Sequence, residues 1–192
     1  MVELEKLTKQ IIGQMPPTTR FRQEDVKVIG AHKDFLLSLE DKIVAGFYDT
    51  LFNHAPTKAI FVEGERPDRE QTLRNWWQRT LNGPFDASYW TWQTLVGLIH
   101  IKRKVKNPMM IAMWGWVLNT LRSELSQHCS AEEVTKVMDS FERLAATIQA
   151  LTAESYLENY INALSTATGF NMELLQRMVN TEVEDLIKAT GR

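Results

Sequence analysis

Apolar residues recur at helical spacing along the whole chain, and glycine or proline interrupts this pattern at short intervals. The first segment, 2–12, carries its apolar residues on one face, and Gly13 and Pro16 follow it. We find no run in which apolar and polar residues alternate as they do in a half-buried strand. The pattern therefore predicts an all-α protein of about seven or eight helices with short connections, of the type that is not a simple bundle.

Residues that prefer helix N-termini mark several of the expected boundaries. Ser38 and Asp68 are each expected to cap the helix that follows them, and Asp86 or Ser88 is expected to cap another. Gly83 and the proline after it are expected to end the helix that Asp68 begins.

The second half of the chain predicts three longer helices. The segment 109–127 is apolar nearly all round, which predicts a buried central helix. Ser130 and Glu133 have the spacing of a capping box, which predicts the start of a long helix. The segment 171–189 is amphipathic and predicts the last helix.

Size and charge exclude several classes of protein. The 192 residues suffice for one domain with a full core, and the net charge of -2 does not favour a nucleic-acid partner. The single cysteine, Cys129, cannot form an internal disulfide. No apolar run reaches the roughly 18 residues that a membrane span requires, and the N-terminus has no apolar signal core. We expect a cytoplasmic protein without a membrane or nucleic-acid partner.

The common catalytic motifs are missing from the sequence. It has no glycine-rich phosphate loop, no CxxC pair, no HExxH pattern and no serine elbow. The four histidines, His32, His54, His100 and His128, are far apart and do not predict a multi-histidine metal site. Because acidic residues occur on every helical surface, a small enzyme with an unrecognised acid/base pair stays open as an alternative.

His100 is the residue that most suggests chemistry. It follows the apolar run 95–99 late in a helix, and Gly97 leaves room for a bulky group near the backbone. Neutral imidazole is a good iron ligand, and one histidine suffices to hold haem in a globin-type pocket. The six tryptophans, eight phenylalanines and eight methionines could line the cavity of a flat apolar ligand, or simply fill a core. A lone histidine at a helix end is more often a surface residue or a core residue with satisfied hydrogen bonds.

Several segments together resemble the protoglobins and the globin domains of globin-coupled sensors. These segments are Phe47–Phe52, Phe85–Tyr89, Val96–His100 and Asn107–Pro108. Their order and rough spacing agree over about 21–164, and Gly97–His100 is the most specific element. The resemblance implies a globin-like fold with an extra N-terminal helix and an extra C-terminal helix.

The same resemblance implies how the chain is organised. We expect an N-terminal extension helix over 1–20, a globin-like haem domain over 21–168, and a C-terminal helix over 169–192 for dimerisation or as a linker. The implied cofactor is haem b, with its iron, and the implied ligand is a diatomic gas. The expected partner is a second copy of the chain, which would bind through the last long helices.

Residue roles follow from the resemblance, position by position. His100 looks like the proximal iron ligand, and Tyr48 looks like the distal residue whose hydroxyl donates to bound dioxygen and favours it over CO. The candidate walls of the distal pocket are Phe47, Leu73 and Trp77. The candidates for packing around the ring are Val96, Ile99, Val105, Met113 and Trp116. Lys102 and Arg103 are candidates for pairing with the haem propionates.

Alternatives accompany these roles. The hydroxyl of Tyr48 could instead anchor two helices, and Lys102 and its basic neighbours could be a solvated surface. The tryptophans cannot all line one pocket, so most are expected in the core. No histidine lies in the distal helix, and Arg69 and Gln71 are polar residues that could approach a gas ligand there.

The function implied by the resemblance is reversible gas binding at haem iron, as a sensor or carrier. The expected gas is O2, with CO and NO as further candidates, and no catalytic residue is singled out. Any redox activity of the haem is not marked in the sequence. A haem-free, globin-like interaction domain is the alternative of a different class, in which aromatic side chains would fill the pocket.

Overall fold

The computed structural model describes residues 2–191, and these residues are helical with no strand, as the sequence predicted. Met1 and Arg192, the outer bounds of two predicted segments, lie outside the described residues. The helices described are, in chain order, α1 Val2–Gln14, α2 Gln23–Ala31, α3 Lys33–Ser38, α4 Glu40–Phe52, α5 Ala55–Lys58, α6 Arg66–Asn82, α7 Ala87–Arg103, α8 Asn107–His128, α9 Ala131–Thr168 and α10 Met172–Ala189.

Most of the predicted helix ends are confirmed, because local side-chain chemistry fixes them. The Asp86 carboxylate accepts the backbone N–H of Tyr89 at 2.9 Å and begins α7. The capping box forms at α9, where the backbone N–H of Ser130 donates to Glu133 at 2.9 Å. Gly83, with a φ of 64°, ends α6 in a conformation that suits glycine.

Two predicted caps are wrong. The Ser38 hydroxyl donates back to the carbonyl of Phe35 at 2.6 Å, and α4 begins only after Leu39. Asp68 lies inside the first turn of α6, which begins at Arg66, because Pro67 is suited to the first helical positions. The prediction for 109–127 is also wrong in part, since Ile111 on α8 is 48% exposed and neighbouring helices cover only one side of α8.

A hydrophobic core forms where α6, α8 and the first part of α9 contribute fully buried side chains. Trp77, Leu121 and Phe141 belong to it, and the Trp77 and Phe141 rings stack with centroids 6.1 Å apart. The buried Asp25 of α2 accepts from the Arg143 guanidinium of α9 at 3.0 Å and 3.1 Å, and from the backbone N–H of Arg22. This core leaves one region incompletely filled, as described below.

The chain divides into two compact units, 1–155 and 156–192. The described part of the first unit holds α1 to α8 and the larger part of α9. In the described part of the second unit, Tyr156 and Tyr160 stack with ring centroids 6.2 Å apart. None of the residues of α10 is buried, and its apolar face is exposed, with Leu186 at 66%. None of the described helices is long and apolar enough to cross a membrane.

Candidate functional site

A cavity of about 320 Å³ lies within the first unit, mainly between α4, α6, α7 and α8. Helix α7 contributes a stripe of residues at a spacing of three or four, which places them on one face. This stripe consists of Gln93, Val96, His100 and Arg103. Apolar and aromatic side chains from the other helices complete most of the wall, so the cavity suits a large apolar ligand.

His100 brings an unusual polar atom to this cavity. Its Nδ1 is buried and has no hydrogen-bond partner among the described residues, whereas Nε2 does not belong to the buried unpartnered atoms. Burial, and then the charge of Arg103, lowers the pKa of His100 to about 4. The imidazole is therefore neutral at physiological pH, which is the form that binds a metal.

Tyr48 lines the same cavity from α4. Its hydroxyl donates to the backbone carbonyl of Arg69 on α6 at 2.7 Å, and the side chain is only 7% exposed. Burial raises the pKa of Tyr48 to about 12, so the group keeps its proton at neutral pH. The helix-anchoring alternative is thus what the structure shows for this hydroxyl.

One end of the cavity carries charged groups. Arg103 donates through both terminal nitrogens to Glu65, at 2.6 Å and 2.9 Å. Hydrogen bonds from Arg103 and from the backbone of Val62 lower the pKa of Glu65 to about 2. The Nε of Arg69 lies 3.2 Å from the same carboxylate, although its geometry does not make a hydrogen bond. This end therefore holds two guanidinium groups around one carboxylate.

A neutral hydrogen bond joins α6 and α7 elsewhere in the cavity wall. The Trp76 indole N–H donates to Oε1 of Gln93 at 3.2 Å. Gln93 is 1% exposed, and its Nε2 has no partner among the described residues. Since Gln93 lies seven residues before His100 on α7, the two side chains share a face about 10 Å apart along the helix axis.

The structure brings nine of the predicted site residues together around the cavity. They are Phe47, Tyr48, Leu73, Val96, Ile99, His100, Arg103, Val105 and Met113. Of the two polar residues considered in the distal helix, Arg69 lines the cavity, whereas Gln71 is exposed and donates to Asn75 at 2.8 Å.

Three predicted site residues do not line the cavity. Trp77 is fully buried in the core, where its indole donates to the carbonyl of Leu36 at 3.1 Å. Trp116 packs edge-on against Phe47 from behind the wall, with ring centroids 6.2 Å apart. Lys102 is exposed, because its position on α7 faces solvent.

Sequence reasoning missed several lining residues. The largest of them are Trp76, Trp92, Trp114, Met109, Met110 and Phe61. The helical register relative to His100 could have found Gln93, which lies two turns earlier on the same face. The tryptophans gave no such signal, since Trp76 and Trp77 are adjacent in sequence and only packing separates their roles.

The other histidines stay apart in the folded chain. His32 contacts the carbonyl of Val28 through Nδ1 at 3.0 Å, and the His128 ring packs against Phe35. Within residues 2–191, no three histidine, cysteine, aspartate or glutamate side chains come close enough to hold a metal ion together.

The fold is that of a globin-type protein, and comparison with known proteins agrees. The sequence model of the Protoglobin family matches residues 9–162, most of the chain, and this chain belongs to that family. Among solved structures, the globin domain of the Geobacter sulfurreducens globin-coupled sensor is similar in fold. Its TM-score is 0.63 at 17% sequence identity, over 81% of this chain and 97% of that domain. No curated protein matches the chain in sequence.

Proposed function

We propose that this protoglobin binds haem b in the cavity and reversibly binds a diatomic gas there, as a sensor or carrier. One observation carries the proposal above the others. A neutral, partly buried imidazole belongs to the wall of a largely apolar cavity, in a chain of the protoglobin family. When bound, the haem would supply an iron that takes up O2, CO or NO.

In this proposal His100 is the protein ligand of the haem iron. Because burial keeps its imidazole neutral, no proton has to leave before the metal binds. Phe47, Leu73 and Val96 would pack against the ring, and the apolar wall would exclude water from it. The neutral imidazole in the cavity wall and the fit of apolar side chains are what support this role.

Arg103 is the favoured partner for the haem propionates. It lines the cavity and already binds one carboxylate, that of Glu65, in the two-pronged geometry that guanidinium groups favour. Lys102 was predicted for the same role, but its exposed side chain lies outside the wall. A propionate would therefore share Arg103 with Glu65 or displace it.

Tyr48 is proposed as the residue that distinguishes O2 from CO. A phenol has only one proton to donate, and here it donates to the Arg69 carbonyl. To donate to a gas ligand, the hydroxyl must turn away from α6. This exchange of acceptors would couple gas binding to the contact between α4 and α6.

The wider organisation is also a proposal. We keep the boundaries 1–20, 21–168 and 169–192 for extension, haem domain and C-terminal helix. The exposed apolar face of α10 supports pairing with a second copy in an isologous homodimer. The lone free cysteine supports a cytoplasmic location, where disulfides are rare.

The test is the visible spectrum of the protein produced with a supply of haem, reduced and with or without CO. We expect a Soret band that is lost or strongly altered in His100→Ala and unchanged in His54→Ala, which replaces an exposed histidine. A colourless wild-type protein that still folds and dimerises would contradict gas binding. That outcome would favour the haem-free interaction domain, for which the exposed face of α10 offers a surface.

The role of Tyr48 has its own test. In Tyr48→Phe we expect O2 to dissociate faster and CO to dissociate at nearly the wild-type rate, because bound O2 carries more negative charge for a donor to stabilise. Laser photolysis and stopped-flow mixing measure both rates. Equal changes for the two gases would mean that the hydroxyl does not contact the ligand.

A further inference from the structure

The proposed iron ligand lacks a feature that metal-binding histidines almost always have. Such a histidine usually donates its other ring N–H to a carboxylate, a backbone carbonyl or water. Here the Nδ1 of His100 is buried and meets no hydrogen-bond acceptor among residues 2–191. With Nε2 on the metal, Nδ1 would carry its proton without a partner.

The cavity-wall residues on the same face of α7, one turn either side of His100, offer its Nδ1 no side-chain acceptor. Val96, one turn earlier on the same face of α7, has an aliphatic side chain, and Met109 and Met110 of α8 offer only weakly accepting sulfur atoms. Arg103, one turn later, is a donor, and both of its terminal nitrogens are used by Glu65. The atom is also buried from solvent.

An acceptor on this proton has a known chemical effect. It makes the imidazole more basic and fixes the orientation of its ring, so the bond to the metal becomes stronger. Loss of such an outer partner usually weakens metal binding by about 10–100-fold. An unpartnered Nδ1–H leaves the imidazole with its intrinsic basicity only.

We propose that His100 binds its metal without donating a hydrogen bond from Nδ1–H. The bond between the imidazole and the metal is then weak, and it is the contact of this site that breaks most easily. The inference rests on the haem function proposed above and adds how the protein tunes it. His100 lies near the C-terminal end of α7. If its ring dissociated from the metal, α7 would also lose its contact with the cofactor. A weak proximal bond thus favours a sensor over a simple carrier.

The decisive experiment exchanges the histidine side chain for free ligands. In His100→Gly loaded with haem, the ring is supplied either as 4-methylimidazole or as 1-methylimidazole. Both place a methyl group where the β-carbon of His100 was, but only 4-methylimidazole has an N–H at the position of Nδ1. Spectroscopic titration gives the two dissociation constants, and free haem in detergent micelles gives their intrinsic ratio.

We expect the ratio of dissociation constants in the protein to equal that of free haem to within about twofold, far less than an outer partner contributes. A preference of about tenfold or more for 4-methylimidazole in the protein, beyond that of free haem, would overturn the inference by revealing an acceptor.

A second variant keeps His100 in place, in case the glycine variant does not take up haem. Val96→Thr preserves the shape of valine and adds a hydroxyl one turn from the imidazole. We expect the iron–histidine stretching frequency of the reduced protein to be higher in Val96→Thr than in wild type. The same frequency in both proteins would mean that Nδ1–H already has a partner, and the inference would be wrong.

These outcomes separate the two proposals. A wild-type protein without a Soret band contradicts the haem function itself. A Soret band that depends on His100, combined with a strong preference for 4-methylimidazole, leaves the haem function intact and removes only the weak proximal bond.

Discussion

The cavity wall and the neighbouring packed core are both rich in aromatic residues, but they differ in how completely their buried polar groups are hydrogen-bonded. In the core, Asp25 binds Arg143 and the Tyr89 hydroxyl binds Thr80 at 2.9 Å. In the described chain, four buried side-chain polar atoms have no hydrogen-bond partner, and three of them belong to residues of the cavity wall. These three are Arg69 Nε, Gln93 Nε2 and His100 Nδ1.

This difference teaches how a binding site can be distinguished from a core of similar composition. A buried polar atom without a partner costs about 1–3 kcal/mol, so folding alone does not favour it. Of the four such atoms among the described residues, three lie in the cavity wall, where the structure tolerates this cost. The following predictions test this contrast between core and cavity wall.

The largest effect is expected in the core. Removal of the buried carboxylate in Asp25→Ala leaves two groups without their partner, the backbone N–H of Arg22 and the Arg143 guanidinium, whose side chain is 21% exposed. Breaking a largely buried pair costs about 3–5 kcal/mol of unfolding free energy. Burial by itself raises the pKa of Asp25, but hydrogen bonds from Arg143 and the Arg22 backbone outweigh it and lower the pKa. Urea unfolding measures the loss, with Asp34→Ala as the exposed control. A loss below about 1 kcal/mol would show that this pair is not a structural element of the core.

The next effect concerns acid and the cavity wall. The pKa of His100 falls from 6.5 to about 4 on folding, so between these pH values the unfolded chain binds more protons and stability decreases as pH falls. The full difference corresponds to at most about 3 kcal/mol. Urea unfolding of the haem-free protein at pH 7 and pH 4 should therefore show a smaller loss in His100→Leu than in wild type. An equal loss in both proteins would mean that the imidazole is not buried.

A third, smaller effect tests the support behind the wall. A β-carbon at Gly46 would lie 2.7 Å from Cζ2 of Trp116, so Gly46→Ala must displace the indole that packs against Phe47. We expect a loss of about 1–3 kcal/mol, as for other overpacked sites. Gly115→Ala is the matched helical control, because nothing lies within 4 Å of its added carbon. Thermal unfolding of both variants measures the contrast, and equal melting temperatures would contradict it.

The smallest effect concerns the hydroxyl that links α4 to α6. Tyr48→Phe removes the hydrogen bond to the Arg69 carbonyl and should cost the haem-free protein about 1 kcal/mol. Tyr160→Phe, at a residue that is 48% exposed, serves as the control. Chemical denaturation compares the two, and an unchanged stability in Tyr48→Phe would mean that the bond is not maintained in solution.

Sequence patterns predicted the local structure well where one or two neighbouring residues decide it. Asp86, Gly83 and the pair Ser130 and Glu133 marked helix ends correctly, because a cap depends on side chains within the same turn. The cap predicted at Ser38 was wrong for an equally local reason, because its hydroxyl donates to the carbonyl of Phe35 instead. The choice of His100 as candidate ligand came from a motif of this local kind.

The residues of the cavity wall were harder to predict, since they depend on which faces of the helices pack against each other. Trp76 and Trp77 differ by one position, yet Trp76 lines the cavity and Trp77 packs against Phe141 in the core. A change of one residue turns a helical side chain by about 100°, so a small error in register exchanges the two roles. Trp116 and Lys102, which were also expected at this site, do not line the cavity.

By itself, the sequence determined an all-α chain, most of its helix ends and one histidine late in an apolar helix, because periodicity and capping act within a few residues. Only the tertiary structure decided that Nδ1 of His100 is buried and unpaired, that the Tyr48 hydroxyl is already bound to α6, and that Arg103 faces a carboxylate. Burial and pairing arise between helices that are distant in sequence. Their free energies depend on the packing of the whole domain, which no local pattern encodes.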